Sequence, residues 1–242
     1  MKKSTSCLLV YLFFLSLSCY KDDEPKNGIT AENIEQDLYF GDEFQIEASS
    51  NTPITYATNE EYHARVSESG LVTAGFVGET FITLSNDNDS HEVPVTVKPK
   101  STLYPEPIMD FGISKSTLID ELGTPETENE DAIAYMDHSA AAPMIIYSFD
   151  ENDQLNSLGV LVETTYSSVL GVFLSERYLP ANPDNLIFIN ALEEPKATLL
   201  IDAELYSQEY WLVIYLPYPA TKMNKDSKRK ILSDDIDELY KQ

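Results

Sequence analysis

Three residue types capable of hydrolytic chemistry stand side by side at Asp137-His138-Ser139. Acyl transfer needs a histidine side chain placed between a serine and an aspartate. Consecutive residues cannot converge in that way, and the chain contains no Gly-x-Ser-x-Gly elbow. Paired carboxylates for glycoside hydrolysis are the second option, and 41 acidic residues offer many pairs. Such a pair needs a deep pocket that raises one of its pKa values, for which a unit this small has little wall. No enzymatic activity is expected. His63 and His91 each stand alone in a strand-like run, with no companion at metal-ligand spacing. Asn86-Asp87-Asn88-Asp89 has the oxygens calcium prefers but lacks the following glycine and distal glutamate of an EF-hand, so a hairpin loop is expected instead. No metal or other cofactor is implied.

The only thiols are Cys7 and Cys19. Lys2 and Lys3 precede an apolar stretch from Cys7 to Leu17, and small residues lead up to Ser18-Cys19, the layout of a secretory signal peptide over residues 1–18. The uncharged run is too short to span about 30 Å of hydrocarbon. Leu15-Ser16-Leu17-Ser18-Cys19 resembles a bacterial lipobox, with Ser16 where leucine is commonest. That resemblance implies lipidation of the Cys19 thiol and cleavage before it. Two or three acyl chains, at about 0.8 kcal/mol per buried CH₂, hold far more firmly than one. Residues 19–28 read as a polar tether. Within it Lys21-Asp22-Asp23-Glu24 resembles the acidic signal that sends Bacteroidetes-type lipoproteins to the cell surface. Removing Cys7 and acylating Cys19 leaves no thiol for a disulfide, a metal or a nucleophile.

Charge narrows the partners. With 41 acids against 16 bases, and a net charge of −25, the chain lacks the lysine and arginine stripes that displace counterions from phosphate. Nucleic acid is therefore not an expected partner. The one basic cluster, Lys222 to Lys230, is expected to be a solvated helix end. Ten Phe and 15 Tyr among 43% hydrophobic residues supply material for packed cores.

Residues 29–99 carry six short alternating runs: Phe44–Ile46, Ile54–Tyr56, His63–Val66, Leu71–Thr73, Phe81–Leu84 and Val93–Val97. Turn residues punctuate them, so the pattern predicts an all-β sandwich. The stretches Ile54–Asn59, Ala64–Ala74, Gly78–Thr83 and Val93–Val97 resemble, in order and spacing, the bacterial immunoglobulin-like domains of group 2 (BIG2). That resemblance implies an immunoglobulin-like fold, a spacer or adhesive role, a core aromatic at Tyr56 in place of the usual tryptophan, and a positive φ at Gly70.

Beyond a joint at Lys98–Thr102, residues 103–219 read as an α+β domain. Ser114 caps an expected helix that stops at Gly123, and strands follow at Ala132–Met136, Met144–Phe149 and Leu155–Val162. A second helix over Tyr166–Arg177, capped by Ser167, precedes strands at Leu186–Ile189, Ala197–Ile201 and Tyr210–Leu216. Leu186, Leu199 and Val213 follow Ile133, Ile146 and Val160 by the same 53 positions. This predicts a duplicated unit of one helix and three strands, forming an antiparallel sheet with both helices on one face. Phe111–Ser114, Leu122–Pro125 and Tyr147–Phe149 loosely resemble small outer-membrane lipoproteins of the BamE type, which implies a role in membrane-protein assembly.

Tyr206, Tyr210, Trp211, Tyr215 and Tyr218 form an aromatic cluster that could stack on sugars or anchor a protein, or else supply a core face. Residues 220–242 are expected to be a polar tail or a helix, with Ser233-Asp234-Asp235 as a possible break. The expected function is non-enzymatic binding or adhesion at the outer face of the outer membrane, toward an unknown protein or glycan. The alternatives are a periplasm-facing assembly or structural lipoprotein and a carbohydrate-binding component.

Overall fold

The structure is a computed structural model that describes residues 28–32, 37–182, 184, 186–219 and 225–239. Cys7, Cys19 and Lys21–Glu24 lie outside the described residues.

The first unit contains β1 (Thr30–Ala31), β2 (Glu43–Gln45), β3 (Ala48–Ser49), β4 (Thr55–Thr58), β5 (Ala64–Val66), β6 (Leu71–Ala74), β7 (Gly78–Ser85) and β8 (Ser90–Val97). Two antiparallel sheets, ordered β2-β6-β5 and β4-β7-β8, pack face to face, and β1 pairs with β3 beside them. Period-two alternation explains the packing. Along β8, Val93, Val95 and Val97 are buried while Glu92, Pro94 and Thr96 face out. They meet Ile46, Val72, Ile82 and Leu84 in one apolar core. Pro94, which cannot donate to a ladder, sits on the outermost strand of its sheet, where no donor is needed. Gly70 has φ +82°, and a Cβ there would come within 2.9 Å of the Tyr56 ring, so the turn needs glycine for two reasons.

The second unit comprises α1 (Lys115–Leu122), β9 (Thr127–Glu128), β10 (Ala132–Met136), β11 (Met144–Phe149), β12 (Leu155–Glu163), α2 (Ser167–Ser175), β13 (Leu179–Asn182), β14 (Ile187–Ile189), β15 (Leu199–Leu205), β16 (Tyr210–Pro217) and α3 (Lys225–Leu239). Its strands form a single eight-stranded antiparallel sheet, ordered β13-β14-β15-β16-β12-β11-β10-β9. Leu118 of α1 and Leu170, Phe173 and Leu174 of α2 share a core with Ile133, Ile145, Val160, Val213 and Tyr215. Both helices thus cover one face, as the sequence predicts. Leu232, Ile236 and Leu239 of α3 pack with Ala134, Met144, Ile146, Leu161 and Leu212 on the other. Being covered on both sides, β11 is buried at all six positions.

The 53-position relation holds where the halves meet. Val160 opposes Val213, Leu158 opposes Tyr215, and Val162 opposes Trp211, which places a local two-fold axis through the Val160/Val213 pair. It fails farther out. Ile146 belongs to the α3-side core and Leu199 to the opposite one, while Leu186 precedes its strand with φ +50°. Where a sheet is apolar on both faces, apolar spacing cannot tell one face from the other.

Other expectations are corrected. Ser167 is not a cap: the helix begins at Ser167 with Tyr166 as N-cap, and the Ser167 hydroxyl donates to Thr164 O of a preceding 3₁₀ turn. The helix also ends at Ser175, short of Arg177. The Ala197–Ile201 strand runs instead over Leu199–Leu205, because the 3₁₀ turn Glu194–Lys196 occupies its approach. The edge strands β9 and β13 have no counterpart in the sequence reading. The tail helix is unbroken at Ser233-Asp234-Asp235, because the apolar residues on either side dock on one sheet face.

Candidate functional site

The expected joint at Lys98–Thr102 is a packed interface. Ser101 is buried, as are Glu176 and Arg177 directly after α2, at 6% and 7% exposure. The Glu176 carboxylate accepts hydrogen bonds from Lys100 N (2.8 Å), Ser101 N (2.9 Å) and Arg177 Nη1 (2.7 Å). Its backbone oxygen accepts from Val77 N of the sandwich, just before β7. Arg177 donates to Glu106 Oε1, Phe173 O and Ser101 O, and its guanidinium lies 3.9 Å from the Phe173 ring centroid. A buried cation is tolerable only when paired and hydrogen-bonded, and here each guanidinium nitrogen donates to at least one oxygen.

Tyr62 closes the contact from the sandwich side. Its hydroxyl donates to Arg177 O (2.7 Å) and lies 3.3 Å from Ile189 O, and its ring stacks on Phe76. Burial pushes the Tyr62 phenol well above its ordinary pKa, so it remains a donor throughout the usual pH range. Beneath the junction, the Tyr104 and Tyr215 hydroxyls meet at 2.8 Å, and Tyr178 donates to Glu106. Desolvation raises all three phenols, so their hydroxyls stay protonated.

Beside the junction lies an open groove of about 610 Å³, walled by Leu103, Ala141, Tyr166, Val169 and Val172 with Lys100 at its rim. Val169 and Val172 are 39% and 46% exposed on α2. The groove can receive an apolar side chain or ring and offers one cation. A second, polar cleft of about 550 Å³ runs between the units, bordered by Asn59, Glu60, His63, Asn190 and Glu193.

The residues picked out by type go elsewhere. Asp137 has φ +53°, the His138 ring nitrogen Nε2 lies 3.2 Å from Pro105 O, and Ser139 Oγ donates to Leu103 O. These contacts pin the linker to the sheet rather than assemble a nucleophile, and burial lowers the His138 pKa. In the Asn86–Asp89 loop, Asn86 Oδ1 accepts from Asn88 N and Asp89 N, as a turn requires. His63 Nδ1 lies 3.1 Å from Phe76 O. Among the described residues, no group of three His, Cys, Asp or Glu side chains could hold a metal ion.

Nor do the five late aromatics form one platform. Tyr215 is fully buried, and Trp211 packs on the same core and donates to Ser167 Oγ. Tyr210 and Tyr206 pack against the α3-side core, with the Tyr206 hydroxyl on Asp237. Tyr218 lies beside Ile189 and donates to Glu194. Strand alternation separates neighbours such as Tyr210 and Trp211 onto opposite faces. The junction residues escaped the sequence reading, because Glu176 and Arg177 look like an ordinary charged helix end. Their only signal was two opposite charges one residue beyond the apolar run Val169–Leu174.

No family model and no curated protein matches the chain. Among solved structures it is similar to domains 4–9 of the surface layer protein SbsC, at 12% identity and a TM-score of 0.25 over 80% of this chain and 27% of that one. It is similar also to domains 5–6 of the S-layer protein SbsC, at 14% identity and a TM-score of 0.21, covering 80% and 87% of the two chains. The C-terminal domain of TagH gives 11% identity and a TM-score of 0.24, with coverage of 68% and 98%. The chain spans 27% of the first of these.

Proposed function

We propose that this chain is a non-enzymatic, lipid-anchored cell-surface protein, in which an immunoglobulin-like sandwich of the BIG2 type spaces a binding domain from the outer membrane. The observation that carries the proposal is Leu15-Ser16-Leu17-Ser18-Cys19 at the end of a short apolar stretch that starts from Lys2 and Lys3. The acidic run after Cys19 supports export to the outer surface. Two facing three-stranded antiparallel sheets and the left-handed Gly70 turn support the immunoglobulin-like reading. A net charge of −25 opposes indiscriminate capture of acidic surfaces, so binding rests on a local feature such as the Val169/Val172 groove.

The test is metabolic labelling with an alkyne fatty acid, combined with protease shaving of intact cells, for the native chain and Cys19→Ala. The native protein takes up label and is lost on shaving, whereas the variant is unlabelled and leaves the membrane fraction. Labelled protein that survives until the outer membrane is breached would overturn surface display in favour of a periplasmic assembly role.

A further inference from the structure

The two ends of the sandwich are occupied by different things. At one end, the N–H of Ile29, the residue that follows the expected tether, donates to Asp89 Oδ2 in the loop joining β7 to β8. At the other, β7 begins next to Val77, whose N–H donates to Glu176 O of the second unit. These strands are eight residues each and pair along their whole length, from Ser85↔Ser90 to Gly78↔Val97. The two poles are therefore about 25 Å apart at roughly 3.3 Å per residue. We infer that the sandwich is a directed strut: its Asn86–Asp89 pole faces the anchor, and its opposite pole is locked to the α+β unit, which it holds at fixed distance and orientation from the point where the tether joins.

The lock is more than two surfaces in contact. Domains joined by a linker move relative to each other by default. Here the linker's Lys100 and Ser101 N–H groups are held by the same Glu176 carboxylate that pairs with Arg177. The backbone oxygens of Glu176 and Arg177 are in turn held by Val77 and Tyr62 of the sandwich. Three segments distant in sequence thus converge on two consecutive buried residues. A hinge motion between the units would break the Val77 and Tyr62 hydrogen bonds to these two backbone oxygens and uncover the buried Tyr62 hydroxyl, which low-dielectric surroundings oppose. The directional half of this inference rests on the Cys19 anchor, and the locked junction does not.

The experiment uses the mature protein purified from membranes in detergent, with nitroxide labels on Asn88→Cys in the loop and Glu121→Cys on α1, both exposed sites. If Cys19 is acylated, only these two thiols label; a third labelled thiol at Cys19 sinks the anchor reading without touching the junction. Double electron–electron resonance should give one narrow distance distribution. Tyr62→Phe combined with Glu176→Gln should widen it about twofold or more, while circular dichroism shows both units folded. Tyr62→Phe alone, which removes one hydroxyl, should widen it less and guards against a misfolded double variant. A distribution already broad in the native protein, or one unchanged by the substitutions, would overturn the lock. For direction, the protein is placed in phosphatidylethanolamine–phosphatidylglycerol vesicles carrying a headgroup energy acceptor. A donor at Asn88→Cys should transfer more energy than one at Glu121→Cys, and equal or reversed transfer would refute the assigned polarity.

Discussion

The two units bury different kinds of atoms. The sandwich core is built from Ile46, Val72, Ile82, Leu84, Val93 and their aliphatic neighbours, and among its described residues Thr80 and the junction residue Tyr62 are the only buried ones with a polar side-chain group. The α+β unit buries Glu176, Arg177, Asp202, Asp235, Ser148 and Ser157 as well as its apolar core. An aliphatic core needs only volume and alternation, whereas buried charge is tolerated only with specified partners. The sandwich is thus the interchangeable part, and the second unit holds the groups whose positions are individually set.

Core truncations should give the largest effects and be similar in both units. Phe173→Ala removes a fully buried ring packed on Tyr104 and Arg177 and should cost about 3–5 kcal/mol; Ile82→Ala in the sandwich should cost about 2–5 kcal/mol. Urea unfolding followed by tryptophan fluorescence of Trp211 and by far-ultraviolet circular dichroism measures both. If Ile82→Ala leaves the Trp211 transition in place, the units unfold independently.

Glu176→Ala attacks the contrast itself, leaving Arg177 and the Lys100 and Ser101 amides short of an acceptor. A loss of about 3 kcal/mol is expected, with Glu176→Gln milder because its amide oxygen still accepts. A loss below about 1 kcal/mol would mean that this buried charge matters no more than a surface pair. In the sandwich, Gly70→Ala forces a Cβ into a φ of +82° against the Tyr56 ring and should cost about 1–2 kcal/mol by thermal unfolding.

The smallest effect carries a distinctive sign. Asp235 on α3 accepts from Ser148 of β11, and burial, together with Asp131 and Glu238, raises its pKa, although Ser148 and Asn129 donate to it. A folded-state pKa above the unfolded one means that the proton is bound more tightly when folded. The stability it adds is present at low pH and lost as pH rises through the folded value. Hydrogen exchange of the α3 amides should therefore slow as pH falls through that titration, once corrected for intrinsic exchange. Asp235→Asn should flatten this dependence and protect α3 at neutral pH. Protection that falls with acidification would show that the carboxylate form docks better.

Much of the framework was legible in residue order. The Ala132–Met136 and Met144–Phe149 strands have the expected bounds, and α1 has Ser114 as a cap that accepts from Thr117 N and stops at Gly123, φ +90°. Alternation, a capping hydroxyl and a stop glycine act within a few residues, so they can be read locally. The Val160/Val213 relation was legible too, because paired central strands keep the same facing pattern. The core-face reading of Trp211 and Tyr215 and the placing of both helices on one face were legible as well, whereas the 53-position relation misplaced Leu199, because both faces of the sheet are covered.

Sequence by itself determined the acidic composition, two units of different periodicity and most of their elements, because these follow from composition and short-range pattern. Only the tertiary structure decided that α3 covers the second face of the sheet and that Asp137-His138-Ser139 pins a linker. It alone turned Glu176-Arg177 from a charged helix end into the lock between units. Those outcomes depend on distant partners, 36 residues apart for Ser139 and Leu103 and 115 for Tyr62 and Arg177, and burial by distant segments leaves no mark in the local spacing of residues.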